Sequence, residues 1–211
     1  MADDGSPFVE GHFQRVDESD DALFYREARL VTHIDDGAIA ALRAHYATIF
    51  PAQSAVLDLM SSWVSHFPAD FRPGRAAGLG MNAAELDANP ALTERATQDL
   101  NRAPTLPYSD ASFDVVTIAV SVQYLTQPVA VFGEIQRVLR PGGICAVSFS
   151  NRCFPTKAVA LWSAMNDAGH AQIVEAYFTQ AGGFDAAESL RLPTDVGADP
   201  MFVVQARRPA P

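Results

Sequence analysis

Residues 106–150 read LPYSDASFDVVTIAVSVQYLTQPVAVFGEIQRVLRPGGICAVSFS, and this stretch decides the architecture. Two apolar runs, Phe113 to Val120 and Ile144 to Phe149, flank a segment whose Val131, Phe132, Ile135, Val138 and Leu139 fall on one helical stripe. Pro141-Gly142-Gly143 is expected to stop that helix, and Arg137 and Arg140 are expected in its last turn, where cations suit the helix dipole. Two strands joined by a helix lie parallel, so the stretch is a βαβ unit.

The pattern continues outward in both directions. Ala55 to Leu59, Ala76 to Gly80 and a short run at Ala96 to Gln98 read as further strands that alternate with helical segments, which implies a parallel sheet covered on both faces. After the unit, AGGFDAAESLRL and DPMFVVQARR read as two strands whose polar connection is too short for a crossover helix, so this pair is expected to be antiparallel. Before it, residues 21–50 carry apolar side chains at helical spacing, Ile39, Leu42, Tyr46 and Ile49 among them, with Asp35 and Asp36 at a helix start. The expected organisation is an N-terminal tail and helical cap over 1–50 and an α/β core of seven strands over 51–211.

Composition narrows the partners. The 211 residues suffice for one domain with a sizeable core. Acidic residues outnumber basic ones 25 to 15, with no basic cluster beyond Arg207-Arg208, which argues against nucleic acid and anionic membrane as partners. Two cysteines are too few for a disulfide framework or a cysteine zinc site, and no metal centre is expected. The opening Met-Ala-Asp-Asp-Gly-Ser lacks the features of a secretory leader, so a reducing cytoplasm is the expected compartment.

The stretch 106–150 resembles the second half of the class I S-adenosylmethionine-dependent methyltransferase fold in its small-molecule, type 11-like branch: the LP…D.SFD entry to the fourth strand, the loop, the helix ending RVLRPGG and the fifth strand. The resemblance extends over roughly residues 51–206. It implies a Rossmann-like sandwich with an antiparallel C-terminal hairpin, S-adenosyl-L-methionine as cofactor, S-adenosyl-L-homocysteine as product, and in-line methyl transfer to a small molecule by a monomer or homodimer.

Carried over by position, the cofactor site is unusual. The first strand of the family ends in an acidic residue before a glycine-rich turn; AVLDLMSSWVSHFP keeps Asp58 and puts Met60, Ser61 and Ser62 where glycines would stand. Asp58 has a structural alternative, satisfying backbone amides at its strand end. A Met-Ser-Ser turn opening a short helix before Pro68 would still present amides to an anionic group, with a Ser as cap and both hydroxyls toward ligand. The second strand of the family ends in a ribose-binding carboxylate; here Gly80 and Met81 stand there, followed by Asn82 and Glu85, which also have the spacing of a capping box. The resemblance assigns adenine to Asp99 and Leu100, and places Val120 and Ser121 at the cofactor beyond the fourth strand.

Catalytic candidates are fewer. Alignment carries much of the rate of methyl transfer, but a hydroxyl or amine acceptor benefits from a base. His66 in the turn and His33 in the cap rank ahead of His12 and His45, and Tyr124 lies just past the fourth strand, where parallel sheets bind ligands. Substrate contacts are expected from Tyr25, Arg29, Trp63, Gln123 and Arg152, with Lys157 a further cation for an anionic group. The absent glycines also suit a protein of this fold that has lost methyl transfer and binds a ligand or partner.

Overall fold

The computed structural model describes residues 6–9 and 11–211; Met1–Gly5, read above for a leader, lie outside them. One mixed sheet contains β1 (Ala55–Leu59), β2 (Arg75–Gly80), β3 (Glu94–Thr97), β4 (Phe113–Ala119), β5 (Leu139–Phe149), β6 (Glu188–Leu192) and β7 (Met201–Arg207), in the order β3-β2-β1-β4-β5-β7-β6. Neighbours among the first five are parallel, and β7 runs antiparallel to both β5 and β6. Every residue of β1 is buried, as expected for a central strand covered on both faces.

The helices are α1 (Asp21–Phe24), α2 (Asp36–Ile49), α3 (Ala83–Ala88), α4 (Pro128–Val138), α5 (Ala160–Ser163) and α6 (Asp167–Ala181). On one face α4 and α6 meet the sheet through Phe132, Ile135, Tyr177 and Phe178. On the other, α2 lays Ile39, Leu42 and Tyr46 against Ala146, Met201 and Val203. This corrects the expected cap over 1–50: α2 is a core element, because its apolar stripe has the sheet to bury against, and only the chain before it lies over the strand ends.

Two further expectations need correction. The helix of the βαβ unit stops at Val138, three residues before Pro141, and Leu139 already opens β5. Arg140 is therefore not a last-turn cation; its guanidinium grips both carboxylate oxygens of Asp114 at 2.8 Å, while Arg137 bonds Glu134 and Asp110. The second correction concerns the connection from β1 to β2. Residues 60–74 contain no helix, so strands and helices do not alternate there. Phe67 and Phe71 meet Phe50 edge to face at 5.6 and 5.0 Å, and these rings pack over Val56, Val115 and Ile144 where a crossover helix would otherwise lie.

Without that helix, the chain leaving β1 runs straight across the end of β2. The Ser61 amide donates to the Leu79 carbonyl at 2.8 Å, and a Cβ placed on Gly80 would lie 2.1 Å from the Ser61 carbonyl oxygen. Gly80 is thus the residue that permits the crossing. The N-terminal segment is pinned from the other side. Lys157 is fully buried and its Nζ lies 3.0 Å from Asp21 and 3.2 Å from Asp17, while Arg15 pairs with Asp21 at 2.7 Å and Asn101 donates to the same carboxylate at 3.0 Å. Lys157, expected as a substrate cation, is used up in this network.

Two substitutions test these contacts. Asp21→Ala leaves two buried cations without their shared carboxylate and should cost about 3–5 kcal/mol in urea unfolding. Gly80→Ala forces backbone against Cβ and should cost about 1–3 kcal/mol by the same assay, whereas Gly133→Ala, where a Cβ meets nothing within 4 Å, should not destabilise.

Candidate functional site

A cavity of about 300 Å³ opens at the carboxyl ends of β1, β2 and β4, where an open parallel sheet places ligands. Its floor is Asp58 from β1 with Met60 just past it, Leu79 and Gly80 from β2, and Ala119 from β4 with Val120 just past it; residues 21–33 and 152–154 supply the roof. Met60 and Val120 both take left-handed backbone, with φ of 54° and 46°. Such geometry costs of order 1–3 kcal/mol per residue and is a marked departure for β-branched valine, so surrounding contacts must hold both strand ends in place.

Asp58 is buried and accepts from Ser61 Oγ at 2.6 Å and from Thr117 Oγ1 at 2.9 Å. Burial pushes its carboxyl up to about 6, against the pull of hydrogen bonds from Ser61, Ser65 and Thr117. The turn beyond it differs from the expected one. Residues 61–66 form no helix, so no helix N-terminus faces the cavity. Neither serine hydroxyl is directed to a ligand: Ser61 is committed to Asp58, and Ser62 Oγ donates to Glu85 Oε2 at 2.6 Å. Asn89, fully buried, holds the turn by donating to the Ser62 carbonyl at 2.9 Å and Ser65 Oγ at 2.8 Å.

The capping-box spacing of Asn82 and Glu85 is realised in part. Asn82 Oδ1 accepts from the Glu85 amide at 3.1 Å and caps α3, but the Glu85 side chain does not fold back to it. Glu85 Oε1 instead accepts from the Arg29 amide at 2.7 Å, and Asn82 Nδ2 donates to the carbonyls of Tyr25 and Arg26. Trp63 Nε1 donates to the Val31 carbonyl at 2.9 Å. Asn82, Glu85 and Trp63 therefore clasp the roof to the floor. The capping signature located Glu85 in the sequence without revealing this use, and Asp21 and Phe154, which also line the cavity, had no signal beyond composition.

Among the expected acid–base groups, His66 and His33 both line the cavity, while His12 and His45 do not. Burial lowers His66 to about 4, so its ring is neutral at pH 7, and Nδ1 has no partner among the described residues. His33 is also lowered by burial, with the Glu85 charge opposing, and packs edge-on to Phe154 at 5.3 Å. Tyr124 lines the cavity, but its hydroxyl accepts from the Phe154 amide at 2.8 Å and burial raises it to about 12, so it is a wall and an anchor and not the expected acid–base group. Gln123 does not line the cavity; it is buried and donates to the Val120 carbonyl. Tyr25, Arg29, Trp63 and Arg152 do line it, Arg152 while bound to Asp199 at 2.9 Å.

The residues present fit an adenosyl cofactor. Asp99 and Leu100 line the cavity, and one Asp99 oxygen takes the Asn101 amide while the other has no partner among the described residues. Along the opposite rim the amides of residues 62–66 have no hydrogen-bond partner among the described residues, and the Ser121 hydroxyl, against the same cavity, is buried without one. The Ser121 hydroxyl, buried in this way, calls for a partner from outside the chain, and the free amides and the free Asp99 oxygen beside the cavity can serve the same ligand. Asp58, Glu85 and Asp99, none of them in an ion pair among the described residues, give the cavity acidic character. Met81, Gly80 and Asn82 complete the wall between the two ends. Among the described residues no cluster of metal-ligating side chains occurs and no helix is long and apolar enough to cross a membrane.

Comparison with known proteins agrees with the fold. Residues 71–147 match a family model described as a methyltransferase domain. A ubiquinone/menaquinone biosynthesis C-methyltransferase, UbiE, of Nitrobacter hamburgensis is 38% identical over 86 residues, which is 35% of this chain and 34% of the relative, so the match spans about a third of that protein's length. The solved structure of the 4+2 cyclase SpnF superposes with a TM-score of 0.62 at 17% identity, covering 87% of this chain and 89% of that one. A methyltransferase of Thermotoga maritima superposes at 0.58 with 13% identity, covering 82% and 90%. Strand order and antiparallel hairpin are those of the class I methyltransferase fold, and the segment 71–147 is similar to a methyltransferase domain.

Proposed function

We propose that this chain binds S-adenosyl-L-methionine and transfers its methyl group to a small-molecule acceptor by direct in-line displacement. One observation carries the reading: Asp58, Asp99 and the residues Ser62, Trp63, Val64 and His66, whose amides have no partner among the described residues, line a single cavity at the carboxyl ends of β1, β2 and β4. Bound there, the cofactor supplies an electrophilic methyl group on a sulfonium. Asp99 and Leu100 hold adenine, Gly80 and Met81 flank the ribose, and the 62–66 amides with Ser121 take the methionyl end. His66, neutral at pH 7, accepts the acceptor's proton. A reducing cytoplasm and a monomer or homodimer complete the proposal. The name of the UbiE relative makes carbon acceptors on small aromatic molecules the first class to screen.

A second reading is favoured by the way the floor satisfies itself. Asp58 is filled by Ser61 and Thr117, and Glu85 by Ser62 and Arg29, as in a site built for ligand binding without transfer. The fold does not separate the two readings, since a cyclase shares it.

Calorimetric titration separates them at the first step. Micromolar binding of both S-adenosylmethionine and S-adenosylhomocysteine is expected; no binding by folded protein would transfer the assignment to the second reading. Asp99→Ala should weaken S-adenosylhomocysteine by about 1–3 kcal/mol, the effect of removing a buried acceptor; unchanged affinity removes Asp99 from the adenine site. With saturating cofactor, the acid limb of kcat should lie well below the ordinary histidine range, because His66 is depressed to about 4. His66→Gln should lower kcat by about 10²-fold or more and abolish that limb; a limb at the ordinary histidine value that survives the substitution excludes His66 as the base.

A further inference from the structure

The roof contributes a cation that the rest of the chain leaves without a counter-charge. Acidic residues outnumber basic ones 25 to 15, yet Arg29 has no carboxylate within ion-pair distance of its guanidinium among the described residues. Glu85 meets Arg29 only through the backbone amide, and its second oxygen is committed to Ser62. The other cavity-lining arginine, Arg152, is 63% exposed and already paired with Asp199.

Arg29 is nevertheless held in one place. Its guanidinium carbon lies 4.5 Å from the centre of the Phe24 ring, 5.6 Å from Phe154 and 5.8 Å from Tyr25, and Nη2 donates to the Phe24 carbonyl at 2.7 Å. Nε and Nη1 have no partner among the described residues. Cation–π contacts with these rings hold the guanidinium in place, and they leave its Nε and Nη1 edge free, whose planar geometry matches a carboxylate. The same end of the cavity is walled by aromatic faces, with Phe154 stacked on Tyr124 at 5.9 Å and 30°.

We propose that the acceptor is an aromatic carboxylate whose carboxylate is bound by Arg29 and whose ring lies against the aromatic wall of Tyr25, Tyr124 and Phe154. The proposal rests on the methyltransferase reading for the presence of a cofactor in the same cavity. A carboxylate from a second source, the methionyl end of the cofactor, has the same chemistry, and the experiment is arranged to distinguish the two.

The test titrates 4-hydroxybenzoate and its uncharged isostere 4-hydroxybenzamide into protein with and without saturating S-adenosylhomocysteine, and S-adenosylhomocysteine alone into each variant. The acid should bind about tenfold or more tightly than the amide in the wild-type protein. Arg29→Gln should abolish that preference and Arg29→Lys should keep part of it, with S-adenosylhomocysteine affinity within about twofold of wild type in both. Equal binding of acid and amide, or no binding of the acid at millimolar concentration, overturns the proposal without reference to any variant. A tenfold loss of S-adenosylhomocysteine affinity in Arg29→Gln overturns it in favour of the cofactor carboxylate. Failure of S-adenosylhomocysteine to bind the wild-type protein defeats the methyltransferase reading instead, and the acid-against-amide comparison in its absence still decides the fate of the anionic site.

Discussion

The constraint behind the rest of the structure is the crossing of two backbones at Gly80. Because no helix lifts the chain away after β1, Ser61 must pass the end of β2 within bonding distance of Leu79, and only a residue without Cβ leaves room. That passage draws the Ser61 hydroxyl onto Asp58 and swings Ser62 toward α3, where Glu85 receives it. It also leaves the amides of residues 62–66 without hydrogen-bond partners among the described residues, with His66 held in left-handed backbone at φ 53°. In a glycine-rich turn the bare backbone bends around the ligand; here the bend is imposed by neighbouring strands and by Asn89 from behind.

The roof depends on a different kind of force. Residues 15–21 are anchored by buried charges, Lys157 and Arg15 converging on Asp21, and residues 25–31 by hydrogen bonds that Asn82 and Trp63 donate to their carbonyls and that Glu85 accepts from the Arg29 amide. Breaking a buried ion pair is expensive, whereas a hydrogen bond contributes about 1 kcal/mol between neutral groups and about 1.5–3 kcal/mol where one partner is charged, as at Glu85. The two stretches thus differ in how firmly they are fastened, and Arg29 sits in the weaker one.

Much of the fold was legible in the sequence because it is carried by periodicity. The strands at Val56, Val115 and Ile144 and the stripe of α4 announce themselves, and the polar connection of the last two strands required antiparallel pairing. The end of α4 was misplaced because Pro141-Gly142-Gly143 is a strong stop signal, yet β5 begins before it. The missing crossover helix was not legible either, since nothing local to 60–74 reports that Phe50, more than ten residues away, will cover the sheet. At the site, Asp58, Asp99, His66 and Arg29 were singled out by position, and all four line one cavity. Gln123 and the two serine hydroxyls were misjudged for one reason: their direction depends on partners, Val120, Asp58 and Glu85, that only the tertiary fold assembles.

The aromatic patch that replaces the first crossover helix has a kinetic consequence. A helix between β1 and β2 would form from contacts three and four residues apart and carry the two strands together as it grew. Phe50, Phe67 and Phe71 can meet only after a loop of some twenty residues has closed, and loop closure precedes any gain from burial. The unit spanning β4, α4 and β5 keeps its helix, whose contacts three and four residues apart form without closing a loop. The two connections thus differ in what must precede burial: around α4 a local helix can form before its strands pair, whereas between β1 and β2 nothing is gained until the three rings meet across the closed loop.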